Sequence, residues 1–508
     1  MLVDANDWTD GTAIAADLCI VGAGAAGVTI AHSLRDTPLS IALIESGGKT
    51  PEQATQALYG GTYTGNIPSI DASYLSGSRI RMYGGSTNLW GGYCRPLETI
   101  DFEARPWIPD SGWPISRADL DPYYRAASRE LGIRTFDAPP AYFGDPAYPA
   151  HFRSGALDER LYQFQYVNFG SKHLDEFKTS KKTTVHLHAN AIDVALDTAG
   201  RAIDHVALAT LSGKRATARA KAYVLATGGI ENARLLLASR GVSANGVGND
   251  NDVVGRYFME HPCIMILGPL FVWKGISLAR YDVKVIGREG ADGAVTTTMG
   301  SAMFVAPSDE TLRERKLLGV TAQLSLGSGP TGQLGEFDRA VMRACADFDG
   351  VTAHGAFAPP EQVVLNFTSE NAPNRDSRVK LGTERDPLGL PRPELDWRIG
   401  AGELDTTLAL AEAIGAHAGE RRLGRIRLSP TRDALLHNIE GAKHHIGTTR
   451  MSTDPKRGVV DASCRVHGVE NLFVAGSSVF PTSGAANPTY TILALALRLA
   501  DHLRRQLS

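Results

Sequence analysis

The 508-residue sequence has little cysteine, no long apolar run and almost no net charge. Its five cysteines are scattered and never show a CxxC or Cys/His ligand spacing, which argues against a disulfide framework and indicates reduced thiols in a cytoplasmic protein. Glycines interrupt the first apolar run, and acidic rather than basic residues precede it, so we expect neither a membrane span nor a signal peptide. With 52 Lys+Arg against 55 Asp+Glu and no basic block, a nucleic-acid partner is also excluded.

Two common kinds of catalytic centre have no support in the sequence. No GxSxG elbow is present, so serine-based hydrolysis is not indicated. His186 and His188 alternate on a strand but have no cysteine or carboxylate companions at ligand spacing. We therefore expect no metal site.

What the sequence does contain begins with a dinucleotide-binding pattern near the N-terminus. An apolar strand over 18–21 leads into Gly22, Gly24 and Gly27, and a helix and a second strand follow, ending at Glu45. The first glycine permits the tight turn, the second lets a pyrophosphate approach the backbone, and the third lets helix and strand pack closely. An acid at this distance can hydrogen-bond a ribose hydroxyl. The pattern alone does not separate NAD from FAD.

The sequence after this unit favours a flavin. The next hundred residues are irregular and rich in Gly, Pro and Trp, whereas a nicotinamide dehydrogenase normally continues with further βαβ units. Alternating residues over 183–226 then predict a three-stranded meander and a strand that returns to the sheet. A second strand-to-helix junction follows at Gly228 and Gly229. This interrupted layout is typical of a flavin-binding domain.

Several motifs together resemble those of the glucose-methanol-choline (GMC) flavoprotein oxidoreductases, and the pyranose oxidase branch in particular. They are YGGSTNLWGGYCRP, SGWPIS, GRYFMEHP, NAPNRDSRVKLG and the block from HHIGTTRM to the C-terminal helix. The resemblance covers nearly the whole chain. It implies an α/β (α+β) protein with a Rossmann-like FAD-binding domain and a second, substrate-binding domain built on an antiparallel β-sheet.

The resemblance also assigns the catalytic residues. In the family, the histidine three residues before the glycine of an HxxGT segment is the base, which here is His444, and its partner is Asn487 at the start of the final helix. His445 is then expected to face packing or solvent. Independently of the resemblance, Asn487 before Pro488 has the pattern of a helix N-cap, and a helix N-terminus favours a nearby anion. The resemblance implies that the flavin edge lies at this helix end.

The flavin loop departs from the pyranose oxidase pattern at one position. The fungal enzymes attach the flavin through a histidine in an STHW-like loop, and this chain has Asn88 there, so we expect non-covalent FAD. The loop over 83–92 should still lie against the flavin, since its glycines permit close approach. The full set of expected cofactor residues is Gly22, Gly24, Gly27, Glu45, Gly85, Ser86, Asn88, Leu89, Val194, Ala226, Gly476, Asn487 and Thr489.

We predict three regions: an FAD-binding part over 1–262, a substrate domain over 263–436 and a C-terminal return to the FAD domain over 437–508. Alternating stretches in the second region predict one antiparallel sheet that roofs the flavin, with helices near 308–318, 331–345 and 402–420. Tyr281 and the loop over 354–362 are candidates for substrate contact. His261 is expected to be structural.

The resemblance implies oxidation of a secondary ring hydroxyl of a sugar or glycoside. Proton transfer would go to His444 and hydride to FAD, which O2 or a quinone-like acceptor would reoxidise. We favour C3 of glycosides and C-glycosides. A pyranose 2-oxidase acting on glucose, a GMC dehydrogenase of another alcohol and a non-catalytic flavin protein remain alternatives, and the oligomeric state is open.

Overall fold

The computed structural model describes residues 1–264, 269–289, 295–326, 336–350, 360–428 and 431–507. Two large sheets organise these residues, and both contribute to one cavity. Among the described helices, none combines the length and the apolar character that crossing a bilayer requires.

The first sheet is the predicted dinucleotide-binding layer. Its central strand, Thr12–Val21, pairs in parallel with Ile41–Ile44 on one side and with Arg215–Leu225 on the other. The strand Arg215–Leu225 closes the predicted meander, pairing antiparallel with Ile203–Ala209, and its far end pairs in parallel with Leu472–Val474. The last strand of the meander is therefore also the strand that returns to the first sheet. The remaining strands are Leu2–Asp4, Thr183–Leu187 and Asn190–Leu196.

The second sheet is antiparallel and contains the strands predicted for the substrate domain, which confirms the expected fold class. Its central strand Glu361–Ser369 pairs with Val320–Leu326, and Val295–Pro307 pairs with Leu157–Phe164. The other members are Tyr93–Cys94, Pro262–Ile264, Leu270–Val272, Lys284–Glu289, Gly424–Ile426 and Ile439–Gly441. Two of its strands thus precede residue 262, so the two sheets interleave along the chain. The three-region division remains a prediction.

Two strands that the sequence assigns to the antiparallel sheet over the flavin belong to a different sheet. The strands Arg378–Arg385 and Pro391–Asp396 form a hairpin that joins Thr62–Tyr63 in a separate three-stranded sheet. The sequence pattern identifies these strands correctly but does not reveal their partner, because Thr62–Tyr63 is over 300 residues away in the chain.

Helices cover the dinucleotide-binding sheet and the ends of the second sheet. The helix Ala25–Ser33 and the long final helix Thr489–Leu507 pack together, and Arg117–Leu131 packs on the latter. The final helix is amphipathic with nine buried residues, so hydrophobic burial fixes its position. The other α-helices are Gln53–Gln56, Ser73–Gly77, Thr99–Phe102, Phe169–Lys172, Leu174–Thr179, Gly229–Ala238, Asp309–Glu314, Glu336–Phe348, Ala401–Glu420 and Arg432–Leu436.

Candidate active site

A cavity of about 630 Å³ is lined by residues of both large sheets and by the start of the final helix. It brings together most of the residues predicted for the cofactor and both predicted catalytic residues. These are Gly22, Gly24, Glu45, Gly85, Ser86, Leu89, Ala226, Gly476, Asn487, Thr489 and His444. These residues come from seven separate stretches of sequence that meet around one space.

The glycine turn at the start of the cavity has the form that a bound diphosphate requires. Gly22 has φ +105°, and a Cβ there would lie 2.5 Å from the Ala226 carbonyl oxygen. A Cβ on Gly27 would lie 1.9 Å from the Gly22 carbonyl oxygen, so Gly27 serves helix packing and does not line the cavity. A Cβ on Gly24 would meet no close neighbour, since the nearest atom, the Gly85 Cα, would be 4.0 Å away. The backbone at Gly24 is accordingly bare and accessible.

Glu45 lies on the cavity wall at the end of the strand Ile41–Ile44. One carboxylate oxygen accepts a hydrogen bond from the Gly47 N–H at 2.8 Å and the other from the Ala23 N–H at 3.1 Å. Burial raises the pKa of Glu45, and these backbone hydrogen bonds act against that rise. The carboxyl group is therefore held in place before any ligand binds.

The loop over 83–92 lies against the glycine turn. The Gly84 N–H donates to the Ala23 carbonyl at 2.9 Å, and a Cβ on Gly85 would lie 2.9 Å from the Gly24 Cα. The Asn88 amide donates to the carbonyls of Tyr83 and Gly85 at 3.1 and 2.7 Å. Because this amide is tied to the loop itself, Asn88 does not line the cavity.

Two other predicted cofactor residues lie in unexpected surroundings. Val194 is buried in the meander, where its N–H donates to the Ser239 hydroxyl, and Ala189 to Ala191 line the cavity in its place. Its apolar side chain belongs to the core of the first sheet. Leu89 is at the cavity but is 67% exposed, although an apolar residue in this loop suggested burial.

His444 and Asn487 are neighbours on the wall of the cavity. The Asn487 amide nitrogen is 3.5 Å from His444 Nε2, and both side chains are partly accessible from the cavity. The final helix begins at Thr489, one residue later than the sequence predicts, so Asn487 and Pro488 are the two residues that immediately precede it. Burial strongly lowers the pKa of His444, with further contributions from the neighbouring His261 and His445. The His444 imidazole is therefore neutral near neutral pH.

His261 was predicted to be structural, but it contacts the imidazole of His444. Its Nε2 is 2.8 Å from the Gly484 carbonyl oxygen, and its Nδ1 is 2.8 Å from His444 Nδ1. A carbonyl oxygen can only accept, so His261 Nε2 carries the proton and His261 Nδ1 is the acceptor. His444 must then donate from Nδ1. This leaves the lone pair of His444 on Nε2, which is the atom beside Asn487.

A buried carboxyl group supports the backbone of the two histidines. Glu260 accepts from the His444 N–H at 2.8 Å and from the His261 N–H at 2.9 Å, and the Tyr74 hydroxyl donates to it. Burial raises the pKa of Glu260 to about 7, with the hydrogen bonds acting in the opposite direction. Sequence inspection could not find this contact, because a glutamate before a histidine has no distinctive spacing.

His445 lies beside the cavity but points into packing, in line with its predicted role. Its Nε2 is 3.1 Å from the Ser78 hydroxyl, and its ring meets Tyr74 edge to face. Burial lowers the pKa of His445 to about 3. The adjacent backbone leaves no room for a side chain at Gly229, where a Cβ would lie 2.5 Å from the His445 carbonyl oxygen.

The antiparallel sheet presents amide groups to the cavity. Gln323 and Asn366 are directly opposite each other on neighbouring strands, and both line the cavity. The Asn366 amide nitrogen donates to the Ser325 hydroxyl at 3.0 Å, whereas its buried Oδ1 has no partner among the described groups. This acceptor on the cavity wall can accept a hydrogen bond from a molecule that binds there.

The sequence predicts two substrate contacts in the second domain, Tyr281 and the loop over 354–362. Tyr281 is buried away from the cavity, where its hydroxyl donates to Glu159 at 2.5 Å and accepts from the Phe152 N–H. It is therefore a packing residue. Most of the loop predicted over 354–362 falls outside the described residues.

These observations define a flavoprotein-type oxidoreductase. The bare glycine turn, the fixed Glu45 carboxyl group and the helix N-terminus beside Thr489 fit the diphosphate, the ribose and the electron-rich edge of FAD. Residues 17–243 match the family of FAD dependent oxidoreductases, and residues 373–496 match the GMC oxidoreductase family.

Comparison with individual proteins agrees with this class. The chain is 26% identical to 6'''-hydroxyparomomycin C oxidase of Streptomyces lividus, over 96% of this chain and 92% of that protein. It is 33% identical to C-glycoside 3-oxidase of Arthrobacter globiformis over 26% of this chain and 25% of that protein. Pyridoxine 4-oxidase from Mesorbium loti shares the fold, with a TM-score of 0.58 and 18% identity over 96% of this chain and 98% of that chain. The chain therefore contains an FAD dependent oxidoreductase region over 17–243 and a GMC oxidoreductase region over 373–496, and it is an FAD-dependent enzyme that acts on CH–OH groups.

Proposed function

We propose that the protein oxidises a secondary ring hydroxyl of a sugar or glycoside, with C3 of a glycoside preferred to C2 of free glucose. The observation that carries the proposal is the placement of His444 Nε2 beside the Asn487 amide, on the wall of a cavity that Gln323 and Asn366 also line. The FAD, when bound, accepts a hydride from the substrate carbon.

The roles of the two catalytic candidates follow from their hydrogen bonds. His444 has its lone pair on Nε2 and a strongly lowered pKa, so it can accept the hydroxyl proton of a substrate at neutral pH. The Asn487 amide can donate a hydrogen bond to the oxygen that becomes negative as this proton leaves. His261 holds His444 in the tautomer that this step requires.

The amide-lined wall supports a polyhydroxylated substrate. Amide groups both donate and accept, which suits the hydroxyl groups of a sugar ring, and the free Oδ1 of Asn366 can accept from one of them. The Tyr93 hydroxyl, 3.4 Å from Gln323 Oε1, adds a further polar group on the same wall. The Trp90 and Phe304 side chains supply apolar surface nearby.

The preference for C3 of a glycoside rests on similarity to a relative and on the exposed Leu89 side chain at the cavity. A C-glycoside 3-oxidase matches about a quarter of this chain at 33% identity. The exposed Leu89 at the cavity offers apolar contact outside the buried part, where an aglycone would project. A free reducing sugar has no such group. We also propose that FAD is bound without a covalent link and that O2 or a quinone-like compound reoxidises it.

The test is to identify the product by NMR after incubation with glucose and with an aryl glucoside in parallel. A 3-keto glycoside, with slower conversion of glucose, is the expected result. A third incubation uses an aminoglycoside, because one of the relatives matched over most of the chain is named for one. Clean 2-keto glucose with the glucoside untouched would contradict the C3 assignment, and conversion of the aminoglycoside alone would contradict the neutral-sugar assignment.

The electron acceptor is tested separately. The enzyme is reduced anaerobically with the best substrate and then mixed with O2 or with benzoquinone. The rate at which the flavin absorbance returns identifies the faster acceptor. If neither reagent restores the absorbance, the proposed acceptors are wrong.

A further inference from the structure

Four carboxylate side chains line the cavity, and three of them are already engaged. Glu45 accepts from two backbone N–H groups. Glu231 and Asp386 form ion pairs with buried arginines at 2.9 and 2.7 Å. The fourth is Glu440, which is exposed and has no hydrogen-bond or ion-pair partner in the part of the chain that the structure describes. Its carboxylate is therefore available to a molecule in the cavity.

Glu440 belongs to a row of side chains that crosses three strands of the second sheet. It is directly opposite Cys263, and Cys263 is in turn opposite Thr368, with 3.7 Å between the thiol and the hydroxyl. All three residues line the cavity. The preceding residue, Ile439, is fully buried, so the alternation of the strand directs Glu440 to the cavity face.

This row lies one step along the sheet from the proposed base. His261, which contacts His444, comes two residues before Cys263, and Ala442 comes two residues after Glu440. The Ala442 N–H donates to the His261 carbonyl at 3.2 Å, so the two chain segments remain adjacent up to the histidines. Two residues of a strand span about 6.6 Å, which is comparable with the breadth of a sugar ring and its hydroxyl groups.

The next row of the sheet continues the polar surface on the other side of Thr368. Asn366 is two residues away on the same strand and is opposite Gln323. A ring held near His444 can thus meet a carboxylate on one side and amide groups on the other. Lys443 also lines the cavity, but no ion pair joins it to Glu440 among the described residues.

The chemistry of a carboxylate defines the ligand group that it can take. An ionised carboxylate only accepts hydrogen bonds, so its partner must be a donor, and the donors of a neutral sugar are its hydroxyl groups. A hydrogen bond from a hydroxyl to a charged oxygen is roughly twice as strong as one between neutral groups. Of the polar groups in the two rows, Glu440 is accordingly the one that gains most from a hydroxyl in the right place.

We propose that Glu440 is a specificity-determining residue, whose carboxylate accepts a hydrogen bond from a ring hydroxyl other than the one that is oxidised. The inference rests on the proposed function, because it concerns a contact of the same sugar substrate. This hydroxyl is remote from the reacting carbon, so the contact is equally strong before and during the reaction. It therefore lowers the substrate concentration that the enzyme needs and leaves the rate of the bound complex unchanged.

The test measures anaerobic flavin reduction in the full-length FAD-loaded protein by stopped-flow absorbance. The substrates are the best glycoside and a set of deoxy analogues, each lacking one hydroxyl other than the oxidised one. In E440L, the apparent dissociation constant of the full glycoside should rise roughly 10- to 100-fold, the range for a hydrogen bond to a charged group, with the limiting rate unchanged. For the analogue that lacks the bound hydroxyl, E440L and wild type should give the same constant.

Two further variants separate this contact from a change in structure. E440Q keeps an acceptor oxygen but loses the charge, so its dissociation constant should lie between those of the wild type and E440L. E384Q is the matched control, because Glu384 is also an exposed glutamate of a strand but does not line the cavity. FAD content and unfolding temperature should be the same in all variants.

The outcomes distinguish this inference from the proposed function. If no sugar or glycoside reduces the flavin of the wild type, the proposed function fails and the role of Glu440 fails with it. If the wild type is reduced but E440L binds the glycoside equally well, only the role of Glu440 is overturned. An equal loss for every deoxy analogue would also overturn it, as would a loss confined to an amino-sugar glycoside tested in parallel, which would reassign Glu440 to a cationic substituent.

Discussion

His261 and His444 are 183 positions apart in the chain, yet their Nδ1 atoms lie 2.8 Å from each other. The Gly484 carbonyl requires the proton of His261 to be on Nε2, and this in turn requires the proton of His444 to be on Nδ1. The lone pair of the proposed base is thereby directed to the cavity. His261 is a positioning residue, since it acts through His444.

Replacing His261 tests whether it fixes the tautomer of His444. In His261→Leu, His444 has no acceptor for its Nδ1 proton and populates both tautomers, so we expect flavin reduction to slow by roughly 10- to 10²-fold, less than on loss of a general base. His261→Gln should recover part of the rate, because an amide can both donate to Gly484 and accept from His444. Stopped-flow absorbance measures the rate, and FAD content and KM are the controls. An unchanged kcat in His261→Leu would show that the contact has no role in positioning.

The two adjacent histidines should differ sharply in their effect on the reaction. His444→Ala removes the proposed base, so flavin reduction should fall by roughly 10²- to 10⁴-fold with FAD still bound. His445→Ala leaves the base in place and removes a packing contact with Ser78 and Tyr74, so its rate should change much less. Anaerobic stopped-flow reduction of both variants provides the comparison. Reversed effects would assign the base to His445.

The reaction should resist acid down to a pH well under the ordinary histidine range. The folded-state pKa of His444 is lowered, so the base is neutral above that value and becomes protonated, and inactive, only as the pH falls through it. We therefore expect the rate of flavin reduction to be constant from neutral pH through 6.5 and to decline only at lower pH. The pH profile of the reductive rate constant checks this. A decline centred at pH 6.5 or above would show that burial does not control the protonation of His444.

The cofactor should separate from the chain on denaturation. Asn88 occupies the loop position where a covalent link would form, and its amide is engaged with the carbonyls of Tyr83 and Gly85. Acid or heat precipitation should leave the FAD in the supernatant, where its absorbance is measured. Yellow colour that stays with the precipitated protein would disprove non-covalent binding.

The amide pair on the sheet should determine how well the substrate binds. Asn366→Leu removes the unpartnered acceptor, so KM for the best sugar or glycoside should rise, with FAD content unchanged. A lost hydrogen bond to a neutral group costs roughly 0.5–1.5 kcal/mol, which corresponds to about 2- to 13-fold. Ser325→Ala is a suitable control, since Ser325 contacts the Asn366 amide nitrogen but leaves Oδ1 in place. Equal KM values in Asn366→Leu and wild type would remove Asn366 from the proposed binding wall.

Local sequence patterns determined the parts of the protein that depend on neighbouring residues. Three such patterns each involve only a few neighbouring residues. They are the glycine spacing around Gly22 and Gly24, the Asn487–Pro488 pair that precedes the final helix, and the alternation of the meander. A side chain at Gly22 or Gly27 would clash with neighbouring backbone, so only glycine fits there. Their fixed spacing can therefore be recognised in the sequence. Strand and helix patterns are local because side-chain direction repeats every two or 3.6 residues.

Only the tertiary structure decided which distant groups meet. Gln323 and Asn366 face each other because two strands pair in one register, and no local pattern encodes a register between strands that far apart. Glu440 and Cys263 are opposite each other for the same reason. The contact between His261 and His444 could not be predicted either, because the two residues are 183 positions apart in the chain. The sequence identified the FAD cofactor and predicts the base, but the packing of remote segments sets the tautomer of His444 and the pairing of Gln323 with Asn366.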